Sequence, residues 1–403
     1  MLQKHTSRNG LRIVLENIAS VRSVTIGVWV RTGSRDETVE NNGISHFLEH
    51  MFFKGTEKRT AKEIAEEFDA IGGQVNAFTS KEYTCYYAKV LDTHKEFALE
   101  MLTDMFFHSK FAQEEIDKEK NVVLEEIKMA EDTPDDIVHD LLAEASYGGQ
   151  PLGFPILGIE ERLNAFTSED LHQYQLEHYR PDNIVISVAG NVDTSFIDKI
   201  ETAFDQFKQT SKVSTLEKSI FTPKQLTRKK ETEQAHLCLG YQGLPIGATN
   251  IFSLVIVNNV LGGSMSSRLF QEIRENRGLA YSVFSYHSSF LDDGLLTIYA
   301  GTGNEHLPVL KETIHQTVAE LIEHGLTDKE LRNSKEQLKG NLVLGLESTN
   351  SRMSRNGKNE LLMGKHRSLD ELITEIDAVS MESTNELIKQ IFKSDYASAL
   401  ISS

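Results

Sequence analysis

The stretch His46-Phe47-Leu48-Glu49-His50 brings two imidazoles and a carboxylate together in a short run of chain. On a helix turning about 100° per residue, His46 and His50 stand one above the other and Glu49 falls within the same arc. Two such histidines can aim ring nitrogens at one metal ion, and a carboxylate beside them can take a proton from a water that the metal acidifies. The order is H-x-x-E-H, the inverted zincin spacing. Ile44, Phe47, Leu48 and Met51 gather on the opposite side, so the helix is predicted to dock by one face and present the other.

Two histidines leave a catalytic metal one protein ligand short, and a second predicted helix, residues 113–130, offers it. Counted from Ile116, its apolar arc runs through Val122, Ala130, Val123 and Ile127, and both Glu119 and Glu126 fall inside that arc while Glu125 points away. Carboxylates in a buried stripe need a cation or hydrogen-bond donors to meet them. Glu126 is therefore expected as the third ligand, with Glu119 as a neighbour that helps to orient the site.

The surrounding elements read as a scaffold for these two helices. Asn9-Gly10 signals a hairpin near the start. Val24, Ile26, Val28 and Val30 alternate with Ser23, Thr25, Gly27 and Trp29, the pattern of a half-buried strand. Asn41-Asn42-Gly43 leads into the histidine helix with Asn available as N-cap. Residues 61–71 form a helix ending at Gly72-Gly73, residues 74–90 a strand or hairpin, 93–108 a long helix, 184–189 a buried strand and 195–207 a helix. A polar stretch then contains Pro223 and few large apolar residues, as a linker does.

Beyond it the order of elements starts again, with strands at 235–242, 281–287 and 294–301 and helices at 251–261, 268–275 and 307–324. Superposing Phe111-Ala112-Gln113-Glu114-Glu115-Ile116 on Leu326-Thr327-Asp328-Lys329-Glu330-Leu331 sets Glu119 against Ser334 and Glu126 against Asn341. The second half keeps the scaffold without the ligands, a duplicated fold with one metal site. The expected organisation is a catalytic domain over residues 1–210, a linker over 211–228 and a homologous domain over 229–403. The fold class is α+β, each domain an antiparallel or mixed β-sheet packed against helices as a two-layer sandwich.

Composition limits the function classes. The net charge of −18 opposes nucleic-acid and anionic-membrane binding, and no apolar run approaches the ~20 residues of a membrane span. The start lacks an apolar signal region, and the two cysteines, Cys85 and Cys238, are too few for a disulfide framework or a thiolate metal site. A cytoplasmic protein with two buried thiols is expected.

With His46-Phe47-Leu48-Glu49-His50, the later Glu126 and two similar halves, the chain resembles the pitrilysin-type metallopeptidases, and within them the mitochondrial processing peptidase and its bacterial relatives. Further matching stretches are Asn76-Ala77-Phe78-Thr79, Pro151-Leu152-Gly153 with Ile156-Leu157-Gly158, Tyr179-Arg180-Pro181-Asp182-Asn183, and Arg277-Gly278-Leu279-Ala280-Tyr281-Ser282-Val283. Gln150 departs from the family, where His often precedes Pro-Leu-Gly.

The resemblance implies a zinc endopeptidase with one ion per chain, held by His46, His50 and Glu126, with Glu49 as general base and Glu119 in support. Asn76, Ala77 and Phe78 would belong to an edge strand that pairs with an extended peptide, and Arg277 and Tyr281 would grip substrate and stabilise the oxyanion. It also implies a homodimeric clamshell in which Arg277 and Tyr281 reach the opposite subunit's metal. The ligand types admit manganese or cobalt as well. Two other roles stand beside catalysis: a non-catalytic core subunit of the processing-peptidase type, and a chaperone holding strands without cutting them. Retention of the whole H-x-x-E-H with Glu126, Arg277 and Tyr281 argues against the first, and Glu49 against the second.

Overall fold

A computed structural model of the chain describes residues 2–207 and 216–403. Residues 211–215 of the expected linker lie outside the described residues. The first half contains β1 (Leu2–Thr6), β2 (Arg12–Asn17), β3 (Ser23–Val30), α1 (Ile44–Met51), α2 (Ala61–Ala70), β4 (Gln74–Thr79), β5 (Thr84–Leu91), α3 (Lys95–His108), α4 (Gln113–Glu131), α5 (Pro134–Tyr147), α6 (Glu160–Ala165), α7 (Ser168–His178), β6 (Ile184–Gly190) and α8 (Phe196–Ala203). The second half contains β7 (Gln225–Lys229), β8 (Gln234–Gln242), α9 (Ile251–Leu261), β9 (Ala280–Ser289), β10 (Gly294–Gly303), α10 (Leu307–His324), α11 (Asp328–Gly345), α12 (Thr349–Leu362), α13 (Leu369–Ala378), α14 (Met381–Phe392) and β11 (Tyr396–Ser402).

The strands form two mixed sheets, ordered β1-β2-β6-β3-β5-β4 and β7-β11-β8-β10-β9. Each has one parallel pair, β2 with β6 and β7 with β11, and is otherwise antiparallel. From β2 onward the second order repeats the first, in keeping with the α+β class and the internal repeat.

The chain divides into two compact units, neither continuous in sequence: Met1–Lys128 with Pro155–Leu216 and Gly345–His366, and Met129–Phe154 with Glu217–Leu344 and Arg367–Ser403. Two helices are thereby exchanged between the halves. In the first unit, Val24, Ile26, Val28 and Val30 of β3 pack with Phe47, Leu48 and Met51 of α1 in the main core. The other face of that sheet presents Trp29, Cys85 and Val185, and α12 of the second half covers it with Met353 and Leu361. In the second unit, α5 of the first half covers Cys238, Tyr299 and Ala399 with Val138, Leu142 and Ala145.

This exchange corrects the expectation of a half-buried β3. From Val24 to Val30 every residue is buried. Trp29 Nε1 donates to Met353 Sδ at 3.2 Å, and the Thr25 and Thr349 hydroxyls lie 2.9 Å apart. The alternation of Val24, Ile26, Val28 and Val30 with Ser23, Thr25, Gly27 and Trp29 on β3 distinguishes two packed faces, not core from solvent. A second difference falls at the expected linker, since Gln225–Lys229 is a strand paired with Ser398–Ser402. Mostly exposed and polar, this edge strand offers no alternation to read. Residues 268–275 contain a π-helical turn at Phe270–Glu275, and the helix expected over 195–207 spans Phe196–Ala203. Both cysteines are buried, free thiols.

Candidate metal centre

The N-terminus of α1 is held from outside the helix. Its N-cap is Gly43, at φ +96°, and not an Asn as expected; glycine has no side chain with which to satisfy an orphan N–H. The buried carboxylate of Glu37 takes that role, with Oε2 accepting from Gly43 N at 2.8 Å and Oε1 from Ser45 N at 2.9 Å. Asn42 turns its amide to Glu37 Oε2, at 2.8 Å, and to the Pro155 carbonyl, at 3.0 Å. Burial raises the Glu37 carboxyl to about 7, against these hydrogen bonds, which lower it.

Ile44, Phe47, Leu48 and Met51 of α1 are buried. Its two histidines meet α4. His46 Nε2 and His50 Nε2 each lie 3.7 Å from Glu126 Oε2, and the three side chains offer ligand atoms within 4.8 Å of one another. Among the described residues this is the one such group. Zinc–ligand bonds of about 2.0–2.1 Å at tetrahedral angles place ligand atoms about 3.3 Å apart, so side-chain adjustments suffice to fit the metal. The donor set, two imidazoles and one carboxylate, is that of a catalytic zinc site with a position left for water.

Glu119 is buried behind the histidines. Its Oε1 lies 2.8 Å from His50 Nδ1, and its Oε2 accepts from Lys54 Nζ at 2.6 Å. Burial would raise the Glu119 carboxyl, but these two partners outweigh it and hold the carboxyl below its ordinary value. Burial likewise draws His50 down, yet the hydrogen bond and charge of Glu119, with the charges of Glu126 and Glu49, raise it overall. Among the described residues His46 Nδ1 has no hydrogen-bond partner; burial, with His50 nearby, lowers it to about 3. It is neutral and able to ligate throughout the physiological range.

Glu49 is half-buried and its carboxyl is raised, chiefly by burial. Its Oε2 accepts from Thr79 Oγ1 at 2.5 Å. The predicted buried arc of α4 proves narrower than expected: Ile116, Glu119 and Val123 are buried and Glu126 is half-buried, whereas Val122 is 51% exposed. Val122 lies at the margin of the helical wheel, where the arc gives way to the exposed face.

Asn76, Ala77 and Phe78 lie on β4, the edge of the first sheet. The Ala77 N–H donates to Oδ1 of Asn76 at 2.8 Å, and Phe78 packs edge-on against Trp29. Arg277 and Tyr281 belong to the second unit, around the start of β9. Arg277 Nε is 3.7 Å from Glu272 Oε2; Tyr281 is 78% exposed, with the Arg274 guanidinium 4.4 Å from its ring centre. Gln150, at the departure from the family pattern, bonds the backbone of Ile220 through both ends of its amide.

Reading the sequence alone missed Lys54, Thr79 and Glu37. Lys54 was detectable, one further turn along the stripe of His46 and His50; Thr79 and Glu37 reach the site through tertiary contacts.

Residues 12–160 match the Insulinase (Peptidase family M16) domain and residues 165–338 the Peptidase M16 inactive domain. The chain is 63% identical over 402 residues to the zinc protease YmxG of Bacillus subtilis, covering 100% of this chain and 98% of that protein. It is 41% identical over 399 residues to a zinc protease of Streptomyces coelicolor, covering 97% of this chain and 87% of that one. A protease from Helicobacter pylori shares the fold at a TM-score of 0.92 and 21% identity, covering 100% of this chain and 99% of that chain. A peptidase M16 inactive domain structure from Pseudomonas fluorescens shares it at 0.92 and 18% identity, covering 100% and 98%. A match over both halves and an identity of 63% along the whole chain make this a member of peptidase family M16, the insulinase family.

Proposed function

We propose that this chain is a zinc-dependent endopeptidase that cuts peptides or small unfolded polypeptides bound as an extended strand. The observation that carries the reading is the convergence of His46, His50 and Glu126 beside Glu49. The relatives named zinc proteases support zinc as the metal. When bound, zinc acidifies a water and polarises the scissile carbonyl.

The chain's own residues supply the rest. Glu49, on the same arc as the ligands, takes a proton from the attacking water and delivers it to the leaving amine. Glu119 orients His50 through Nδ1, leaving Nε2 for the metal. The edge strand β4 offers its outer backbone groups to an extended peptide, beginning at Ala77, and Phe78 borders the side-chain pocket. Arg277 and Tyr281 grip substrate and stabilise the developing oxyanion from the opposite subunit of a homodimer; the exposure of Tyr281 is compatible with such a role. No helix among the described residues is long and apolar enough to cross a membrane.

The test is metal content of the purified protein together with cleavage of a quenched fluorescent basic peptide, with and without chelator, for wild type and His50→Ala. About one zinc per chain and chelator-sensitive cleavage, both lost in the variant, is the expected result. A wild-type chain that takes up no metal would overturn the reading; one that takes up metal and cuts no peptide would point to the non-catalytic core role.

A further inference from the structure

The Glu49 carboxylate has one hydrogen-bond partner among the described residues, the hydroxyl of Thr79. Thr79 is the last residue of β4, and Val75 and Ala77 on the same face pack against the core that contains α1. An ionised carboxylate can only accept, so the Thr79 O–H donates to Oε2. One oxygen is thereby committed to the sheet, and Oε1 has no hydrogen-bond partner among the described residues. Two positions earlier on the same strand, the Ala77 N–H donates to Oδ1 of its own neighbour Asn76. The base is thus anchored at the end of β4, a strand at the edge of its sheet.

We propose that Thr79 is the positioning residue of the general base: its hydroxyl holds Glu49 with one oxygen turned to the reacting water and ties that orientation to the peptide-binding edge of β4. The inference rests on the proposed function. A base held in one orientation loses less on reaching the transition state than one that rotates freely, and a misplacement of about 1 Å can cost ~10²-fold in rate. Among the described residues the hydroxyl bonds Glu49 alone, so metal binding is expected to be unaffected by its loss.

Two variants separate this role from packing. Thr79→Val keeps the shape and removes the donor, whereas Thr79→Ser keeps the donor and removes a methyl group. Thr79→Val is expected to retain the wild-type metal content and a KM within about twofold while kcat falls by about 10–100-fold; Thr79→Ser is expected to stay within about threefold of wild type. Crystal structures of the metal-free wild type and Thr79→Val should show the Glu49 carboxylate turned away from its wild-type orientation in the variant. Wild-type kcat in Thr79→Val, or equal losses in both variants, would overturn the proposal. An unmoved Glu49 carboxylate would overturn it too. If the wild type neither holds metal nor cleaves peptide, the proposed function fails, and the metal-free structures still decide whether Thr79 orients Glu49.

Discussion

His50 and Glu119 meet at 2.8 Å, Nδ1 to Oε1, and this contact ties the histidine helix to α4. Lys54, from the turn that follows α1, closes on the other oxygen of the same carboxylate at 2.6 Å. A carboxylate saturated in this way acts as an acceptor toward His50. The imidazole proton is expected on Nδ1, which leaves the Nε2 lone pair for the proposed metal.

Removing the lysine should therefore weaken metal binding without touching a ligand. Lys54→Met is expected to lower zinc affinity by about 10–100-fold, the range for losing such outer partners, with Lys54→Arg recovering most of it. Competition against a chromophoric chelator measures this directly. Equal affinities in Lys54→Met and wild type would show that Glu119 orients His50 unaided.

Glu49 is assigned chemistry and no ligation. Glu49→Gln should bind zinc as the wild type does and lose about 10²–10⁴-fold in kcat. Metal analysis and turnover on the same preparation check the two halves of this expectation, and a fully active variant would remove Glu49 from the mechanism.

Mixed subunits test the arrangement in trans. Glu49→Gln chains and Tyr281→Phe chains, each impaired alone, should recover part of the activity when mixed under conditions that exchange subunits. No recovery in demonstrated heterodimers would mean that each site is complete within one chain.

Glu37 makes stability depend on pH. Its folded value, about 7, lies above the ordinary 4.5, because burial favours the neutral acid. Its contribution is thus fully present below about 4.5 and is lost as pH rises through about 7, by up to about 3 kcal/mol at 1.36 kcal/mol per unit. Glu37→Gln cannot ionise, so the stability of the metal-free wild type relative to this variant should fall between pH 5 and pH 8. Urea unfolding at the two pH values measures the change, and a constant difference would contradict it.

The exchanged helix α12 leaves no room at Gly357. A Cβ built there would lie 2.3 Å from Trp29 Nε1, whereas one at Gly340 on α11 meets nothing within 4 Å among the described residues. Gly357→Ala should destabilise by about 1–3 kcal/mol through overpacking. Gly340→Ala should stabilise by about 0.5–1 kcal/mol through helix propensity. Chemical denaturation distinguishes the two, and a neutral Gly357→Ala would mean that α12 shifts at little cost.

What the sequence determined alone is what depends on local periodicity. The pitch of a helix brings His46, Glu49 and His50 to one side wherever that helix packs, and the same counting on α4 singles out Glu119 and Glu126 against Glu125. The repeat, too, was legible, because matched strands and helices recur in the same order. Tertiary structure decided what depends on distant neighbours. An apolar helix face does not state which sheet it will cover, so α5 and α12 could not be assigned to the opposite halves, nor β3 recognised as buried on both sides. Glu37 serves α1 as a cap across a loop, and Thr79 reaches Glu49 from a strand 30 residues away along the chain. Such contacts have no fixed spacing, since they exist only once the sheet's register and the helix's docking face are set together.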